Sequence, residues 1–279
     1  MGAIVPPWYF ALVMGLFGLL FGSFANVVIW RVPRGESIAH PGSHCPGCEA
    51  PIAWYDNIPL VSWAVLRGRC RHCGEPIAVR YPLVEAASGA LFLLAALVWG
   101  PGLRAVFAAA FFWFLLVLSA IDLDTMRLPN PIVGAMAVLG IAGVLVGEVL
   151  AYPALPLHDG APAGLFAHPT AFAAVGALLG VGLSGGIAAA YGAVRGKSGL
   201  GMGDVKLLGV IGIYLGPYVL LALLIGSLAG AIGGLVAARG SSLSETRIPF
   251  GPWLALGAAV TAIGGDWLLA GYARLIGLG

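Results

Sequence analysis

Two aspartates and four cysteines carry the chemistry this chain is equipped for. Asp122 stands in Ala120-Ile121-Asp122-Leu123-Asp124-Thr125, ahead of Arg127-Leu128-Pro129-Asn130, and Asp204 closes Gly201-Met202-Gly203-Asp204. Each borders a long apolar run, where an acid is expensive to keep and is by default a functional candidate. Two carboxyls a few ångströms apart cannot both ionise, so they share a proton. The ionised member takes a proton from water, the water attacks a peptide carbonyl, and the protonated member hydrogen-bonds the developing oxyanion. Amide hydrolysis by this route needs neither a metal nor a covalent intermediate. The plainer use of the same residues is a helix cap at Asp204 and an ion pair from Asp122 to Arg127.

The cysteines form Cys45-Pro46-Gly47-Cys48 and Cys70-Arg71-His72-Cys73, with 21 residues between the pairs. Two such knuckles read as a tetrahedral zinc site, each offering two thiolates from one tight turn. With four sulfurs the site is closed to water, so the zinc is structural. His44 and His72 are adjacent alternatives as ligands, and two disulfides are the competing reading. The surrounding loop of about 50 residues is too small to build a core unaided, which gives a metal staple a physical task. The other acids at or inside apolar runs are Glu85, Glu148 and Asp266; the last two fall near the outer ends of their runs, where water can solvate them.

These side chains need a scaffold, and the composition says which solvent it is built for. Hydrophobic residues make up 60% of 279 and charged residues 9%, against about 25% charged in soluble domains. The expected fold is an all-α polytopic membrane protein with about eight transmembrane helices. A small zinc-stapled cytoplasmic subdomain lies between helices 1 and 2. The apolar runs are 8–30, 82–100, 103–121, 131–152, 171–194, 205–216, 218–238 and 250–273. Each must be helical, because an open strand edge in lipid leaves amides unpaired. Run 205–216, about 18 Å long as a helix, is too short to span alone. It implies a half-helix or a Gly-rich extension beside Asp204. The first run has no basic flank and is longer than a signal's apolar core, so no cleavage is expected there. The domain division expected is 1–30 (first helix), 31–81 (zinc subdomain) and 82–279 (membrane-embedded body).

Lys and Arg set the orientation. With the N-terminus outside, the segments 31–81, 122–130, 195–206 and 239–249 face the cytoplasm and hold twelve of the 14 basic residues, Lys197, Lys206, Arg239 and Arg247 among them. Only Arg104 and Arg274 fall on the other side, and the connection at 152–170 has none; the positive-inside rule selects this arrangement. The formal net charge of +2 carries no footprint of nucleic-acid binding.

At these residues the chain resembles the type IV prepilin peptidase family. Phe21-Gly22-Ser23-Phe24-Ala25-Asn26-Val27-Val28 with Arg31-Val32-Pro33 looks like the family's opening motif. The two knuckles, Tyr81-Pro82-Leu83-Val84-Glu85, the Asp122 turn, the GxGD ending at Asp204, and Pro249-Phe250-Gly251-Pro252 follow in family order. The resemblance implies a GxGD aspartic protease of the bacterial inner membrane that removes a short basic leader from type IV prepilins and type II secretion pseudopilins, cutting after a glycine. It makes Asp122 and Asp204 the catalytic pair, with Asp124 the weaker candidate. In many members the same polypeptide then methylates the new amine using S-adenosylmethionine. No G-x-G-x-x-G fingerprint is present, so Asn26, Arg31 and Glu85 are the candidate cofactor-binding residues. Glu85 is equally placed to bond Arg80 or to cap a helix. The chain departs from the family in Leu128-Pro129, where Ile-Pro is commoner, and in a long connection at 152–170. A transporter or channel with intramembrane carboxylates is the alternative function, and a secretion scaffold, needing neither aspartate, is a third.

Overall fold

Prolines and left-handed residues punctuate this chain into helices. Pro stands in the first turn of four long helices, where its missing N–H costs nothing. Met126 (φ 52°) and Gly196 (φ 66°) turn the backbone out at two helix C-termini. The computed structural model describes residues 6–151, 154–155, 157–158, 168–196, 200–237 and 249–277. Its helices are α1 (Pro7–Arg31), α2 (Val61–Val65), α3 (Arg80–Trp99), α4 (Leu103–Thr125), α5 (Asn130–Val149), α6 (Pro169–Arg195), α7 (Met202–Leu215), α8 (Val219–Ala237) and α9 (Gly251–Leu275). The described residues contain no strand beyond two isolated bridges. Lys197, Arg239 and Arg247, used above for orientation, lie outside the described residues, as does most of the 152–170 connection.

The fold is the all-helical membrane type expected. Among the described residues, seven runs are long and apolar enough to cross a bilayer. The expected eight segments still map one to one onto α1 and α3 to α9. The counts differ because α7 and α8, linked through a 3-10 turn at Gly216–Tyr218, form one unbroken apolar run, Met202–Ala237.

Two compact units divide the chain, 1–117 and 118–279. The boundary at residue 82 expected from sequence separates water-facing from lipid-facing chain, whereas this one follows packing, since α3 pairs with α1. In the first unit α1 and α3 run antiparallel in close contact: a Cβ on Gly22 would lie 2.6 Å from Glu85 Cα. Trp113 Nε1 donates to Phe21 O at 2.9 Å, and its ring stacks on Phe24, fastening α4 to α1. In the second unit α6 crosses α7 where Gly176 meets Gly212; a Cβ on either would come within 2.2 Å of the other's carbonyl oxygen. That contact is available only to glycine.

α5 lies parallel to α7, with Asn130 beside Lys206 at one end and Met136 beside Tyr214 further along. The fully buried Tyr214 donates its hydroxyl to Met136 O at 2.8 Å. Because the phenol has no water to turn to, Tyr214→Phe is expected to lower unfolding free energy by about 0.6 kcal/mol, and by at most about 1.7. Thermal unfolding in detergent, wild type against variant, measures it.

Candidate active site and metal centre

The last turn of α4 holds Asp122. Thr125 folds its hydroxyl back onto Ile121 O at 2.9 Å, and Met126 N–H bonds Asp122 O at 2.8 Å before the chain reverses. Pro129 then caps α5 with extended backbone. Asp122 is buried at 5% exposure, whereas Asp124, two residues on and so on another face of α4, is exposed. Asp122 is the member of the pair that faces protein.

Its partner there is not Arg127. Gly251 N–H, at the first position of α9, donates to Asp122 Oδ2 at 2.9 Å across 129 residues of sequence. A Cβ on Gly251 would sit 2.7 Å from that oxygen, so only glycine brings this amide in. Asp204 occupies the third position of α7, beside its N-cap Gly201. A Cβ on Gly201 would stand 3.0 Å from Asp204 Oδ2. Each carboxylate therefore lies beside a glycine at a helix N-terminus, the end of a helix that favours negative charge. For Asp122 the contact is a hydrogen bond from the Gly251 amide.

The two aspartates lie within coulombic reach of each other. The loops beneath them interlock: a Cβ on Gly203 would meet Leu128 Cβ at 3.1 Å, and Lys206 Nζ donates to Asn130 Oδ1 at 3.0 Å. The C-terminus of α4 and the N-termini of α5, α7 and α9 thus converge on the pair. The amide of Gly251 was not named as a site group from sequence. Its signal was present, in a glycine placed next to a helix start in the Pro249–Pro252 motif.

The other expected acids are placed as follows. Glu148 is exposed. Asp266 is not simply solvated: Tyr218 donates to its Oδ1 at 2.5 Å, and His158 Nδ1 lies 3.2 Å from its Oδ2.

In the first unit the four cysteines converge, their Sγ atoms all within 4.8 Å of one another. None is in a disulfide. The knuckles are built alike. Cys45 N–H bonds Ala50 O and Glu49 N–H returns to Cys45 O; Cys70 N–H bonds Glu75 O and Gly74 N–H returns to Cys70 O. Glu49 and Gly74, at the same step of each knuckle, both have positive φ. The backbone N–H groups of Cys73 and His72 pull the Cys70 thiol down to about 6, whereas desolvation and the neighbouring thiols push Cys73 up to about 12 and raise Cys48. Cys45–Cys73 and Cys48–Cys70 sulfur separations are 3.7 and 4.0 Å. Tetrahedral Zn–S bonds of about 2.3 Å require S–S edges of about 3.8 Å, so the cluster fits a metal of that size. Nearby, the Arg71 guanidinium clamps Asp56 through both carboxylate oxygens and holds it below the usual carboxylate range.

Arg31 and Glu85 fasten this loop to the membrane helices, and Asn26 ties α1 to the start of α3. Arg31 donates to Ser37 O and Gly42 O, Asn26 Nδ2 to Tyr81 O, and Leu60 N–H to Glu85 Oε2 at 2.8 Å. No bond from Glu85 to Arg80 is among these; its carboxylate holds the N–H of Leu60, the residue that opens α2, with φ of 63°.

Comparison with known proteins identifies the family. Residues 16–99 match the bacterial peptidase A24 N-terminal domain, and residues 109–235 match the type IV leader peptidase family. The chain is 35% identical to the prepilin leader peptidase/N-methyltransferase of Aeromonas salmonicida, covering 97% of this chain and 96% of that one. It is 36% identical to the protein of the same name from Aeromonas hydrophila, over 95% and 94% of the two chains. With that from Pseudomonas putida it shares 34% identity over 98% and 97%. No solved structure matches the chain. Near-full-length identity of this order, spread over both units, means that the chain belongs to the type IV leader peptidase family.

Proposed function

We propose that this protein is a prepilin leader peptidase in which Asp122 and Asp204 form the aspartate dyad. The observation that carries the reading is the meeting of two carboxylates, Asp122 at the end of α4, held by the Gly251 amide, and Asp204 at the start of α7, within coulombic reach of each other. The Gly251 amide occupies Asp122 Oδ2 and leaves Oδ1 for the attacking water. One carboxyl deprotonates that water while the other, protonated, donates to the carbonyl oxygen; the proton passes to the departing amine as the roles exchange. The substrates are type IV prepilins and pseudopilins, cut after the glycine that ends a short basic leader. The basic segments favour the cytoplasmic face of the inner membrane for the dyad and the cysteine loop, N-terminus outside. A transport role leaves the Gly251 amide on Asp122 without a purpose.

Zinc is the metal that suits the four thiolates, and Cys45, Cys48, Cys70 and Cys73 would hold it as a closed structural centre. Cys70→Ser is expected to remove the bound metal from purified protein by elemental analysis; undiminished zinc would refute the assignment.

Methyl transfer to the newly exposed amine is the second activity proposed. S-adenosylmethionine supplies the methyl group when bound. Asn26 and Glu85 line the α1–α3 edge at the base of the loop and would offer it acceptor oxygens, and Arg31 shapes that edge through Ser37 and Gly42. The test of both activities is cleavage of a prepilin peptide with mass analysis of the leader and of the mature N-terminus. An uncut peptide sinks the peptidase reading; a cut but never methylated one sinks only the second.

A further inference from the structure

Outside the dyad, the second unit carries an apolar groove that the proposed proteolysis does not use. It has a volume of about 470 Å³ and runs between α5, α6 and α7. Val133 and Gly134 line it from α5, Ala177 from α6 and Gly209 from α7. Its one charged lining residue is Lys206, at the end of α7 that carries Asp204, and beside it stands Asn130. Lys206 is exposed. Its only polar partner among the described residues is the neutral Asn130 Oδ1, and no carboxylate lies within ion-pair distance.

This is the profile of an amphiphile site: a cation and an amide at the mouth, hydrocarbon walls below. From Lys206 to Ile213 the groove descends about 10 Å along α7, from the level of the helix start toward the middle of the bilayer. Two observations favour a lipid over a helix of another protein. Gly209 and Ile213 lie about 140° and 180° around α7 from Asp204, so α7 itself stands between the groove and the dyad. Among the described residues Lys206 has no anion to pair with, and a phosphodiester at the membrane surface supplies one.

We propose that this groove binds an anionic phospholipid of the leaflet on the dyad side, its headgroup phosphate on Lys206 and Asn130 and one acyl chain between α5, α6 and α7. The occupant stabilises the junction where Lys206 ties α7, the carrier of Asp204, to the start of α5.

Native mass spectrometry of the full-length protein, equilibrated with equal dioleoyl phosphatidylglycerol and dioleoyl phosphatidylcholine, tests this. Wild type is expected to retain the glycerol lipid over the choline lipid roughly fivefold, as one surface cation predicts. Lys206→Gln should abolish the preference while a retained lipid is still seen. Gly134→Leu should lose the lipid altogether; a Cβ there meets nothing within 4 Å, so the variant fills the groove without disturbing the helices. Equal retention of the two lipids by wild type, or a preference surviving either substitution, overturns the proposal. A diazirine amino acid at position 134 separates the occupants: crosslinks to lipid support it, and crosslinks to a prepilin peptide or a second copy of this chain overturn it.

Discussion

Asp122→Asn and Asp204→Asn are each expected to reduce prepilin cleavage by roughly 10³–10⁴-fold without unfolding the protein. Asparagine keeps the shape of the carboxyl, and at position 122 an oxygen that still accepts from Gly251. What it loses is the ability to exchange a proton, and a dyad needs that from both members. The two variants should fall together and should not add when combined, because either loss already disables the shared proton. Asp124→Asn is the control: that side chain is exposed, and its loss should leave the rate within about twofold, as for a surface substitution. Initial rates on a prepilin peptide, with thermal unfolding alongside, measure all three. Full cleavage by either single Asn variant would end the assignment.

Gly251→Ala should also be damaging, though less so, and it touches neither aspartate by name. The added methyl would come within 2.7 Å of Asp122 Oδ2, against a carboxylate that is itself buried. Either α9 backs away and the amide donor is lost, or Asp122 rotates off the attacking geometry. Misplacement of a reacting group by about 1 Å costs on the order of 100-fold, and that is the expected fall in kcat, with KM little changed. Gly201→Ala is expected to cost less. Its methyl would meet Asp204 Oδ2 at 3.0 Å, at the far end of a side chain that is less buried than Asp122. Wild-type kcat in Gly251→Ala would show that the amide contact does not orient the dyad.

The residues that could be read from sequence were those whose chemistry is costly in its setting. Acids beside apolar runs and cysteines in paired knuckles violate the composition around them, and the structure brings each set together. The helices were legible for the same reason, since lipid leaves the backbone no alternative. Backbone donors were not legible. Gly251 N–H reaches Asp122 only because α9 begins where α4 ends, and 129 positions separate the two in sequence. Glu85 shows a second limit. Its polarity in an apolar helix signalled a role, but the choice of Leu60 as partner follows from how the loop folds back on α3. The Asp266, His158 and Tyr218 cluster was hidden likewise, drawing on α9, the turn after α7, and a segment with no periodic signal.

Between that cluster and Asp204 lies the short helix α7, and along it Leu208, Ile211 and Leu215 are each wholly enclosed. Acids therefore sit at both ends of a dry plug about 21 Å long, the length of fourteen helical residues. In an energised membrane, acids at two depths are a ready path for protons unless something dry separates them. The enclosed side chains of α7 supply that electrical insulation between Asp204 and the cluster at its far end.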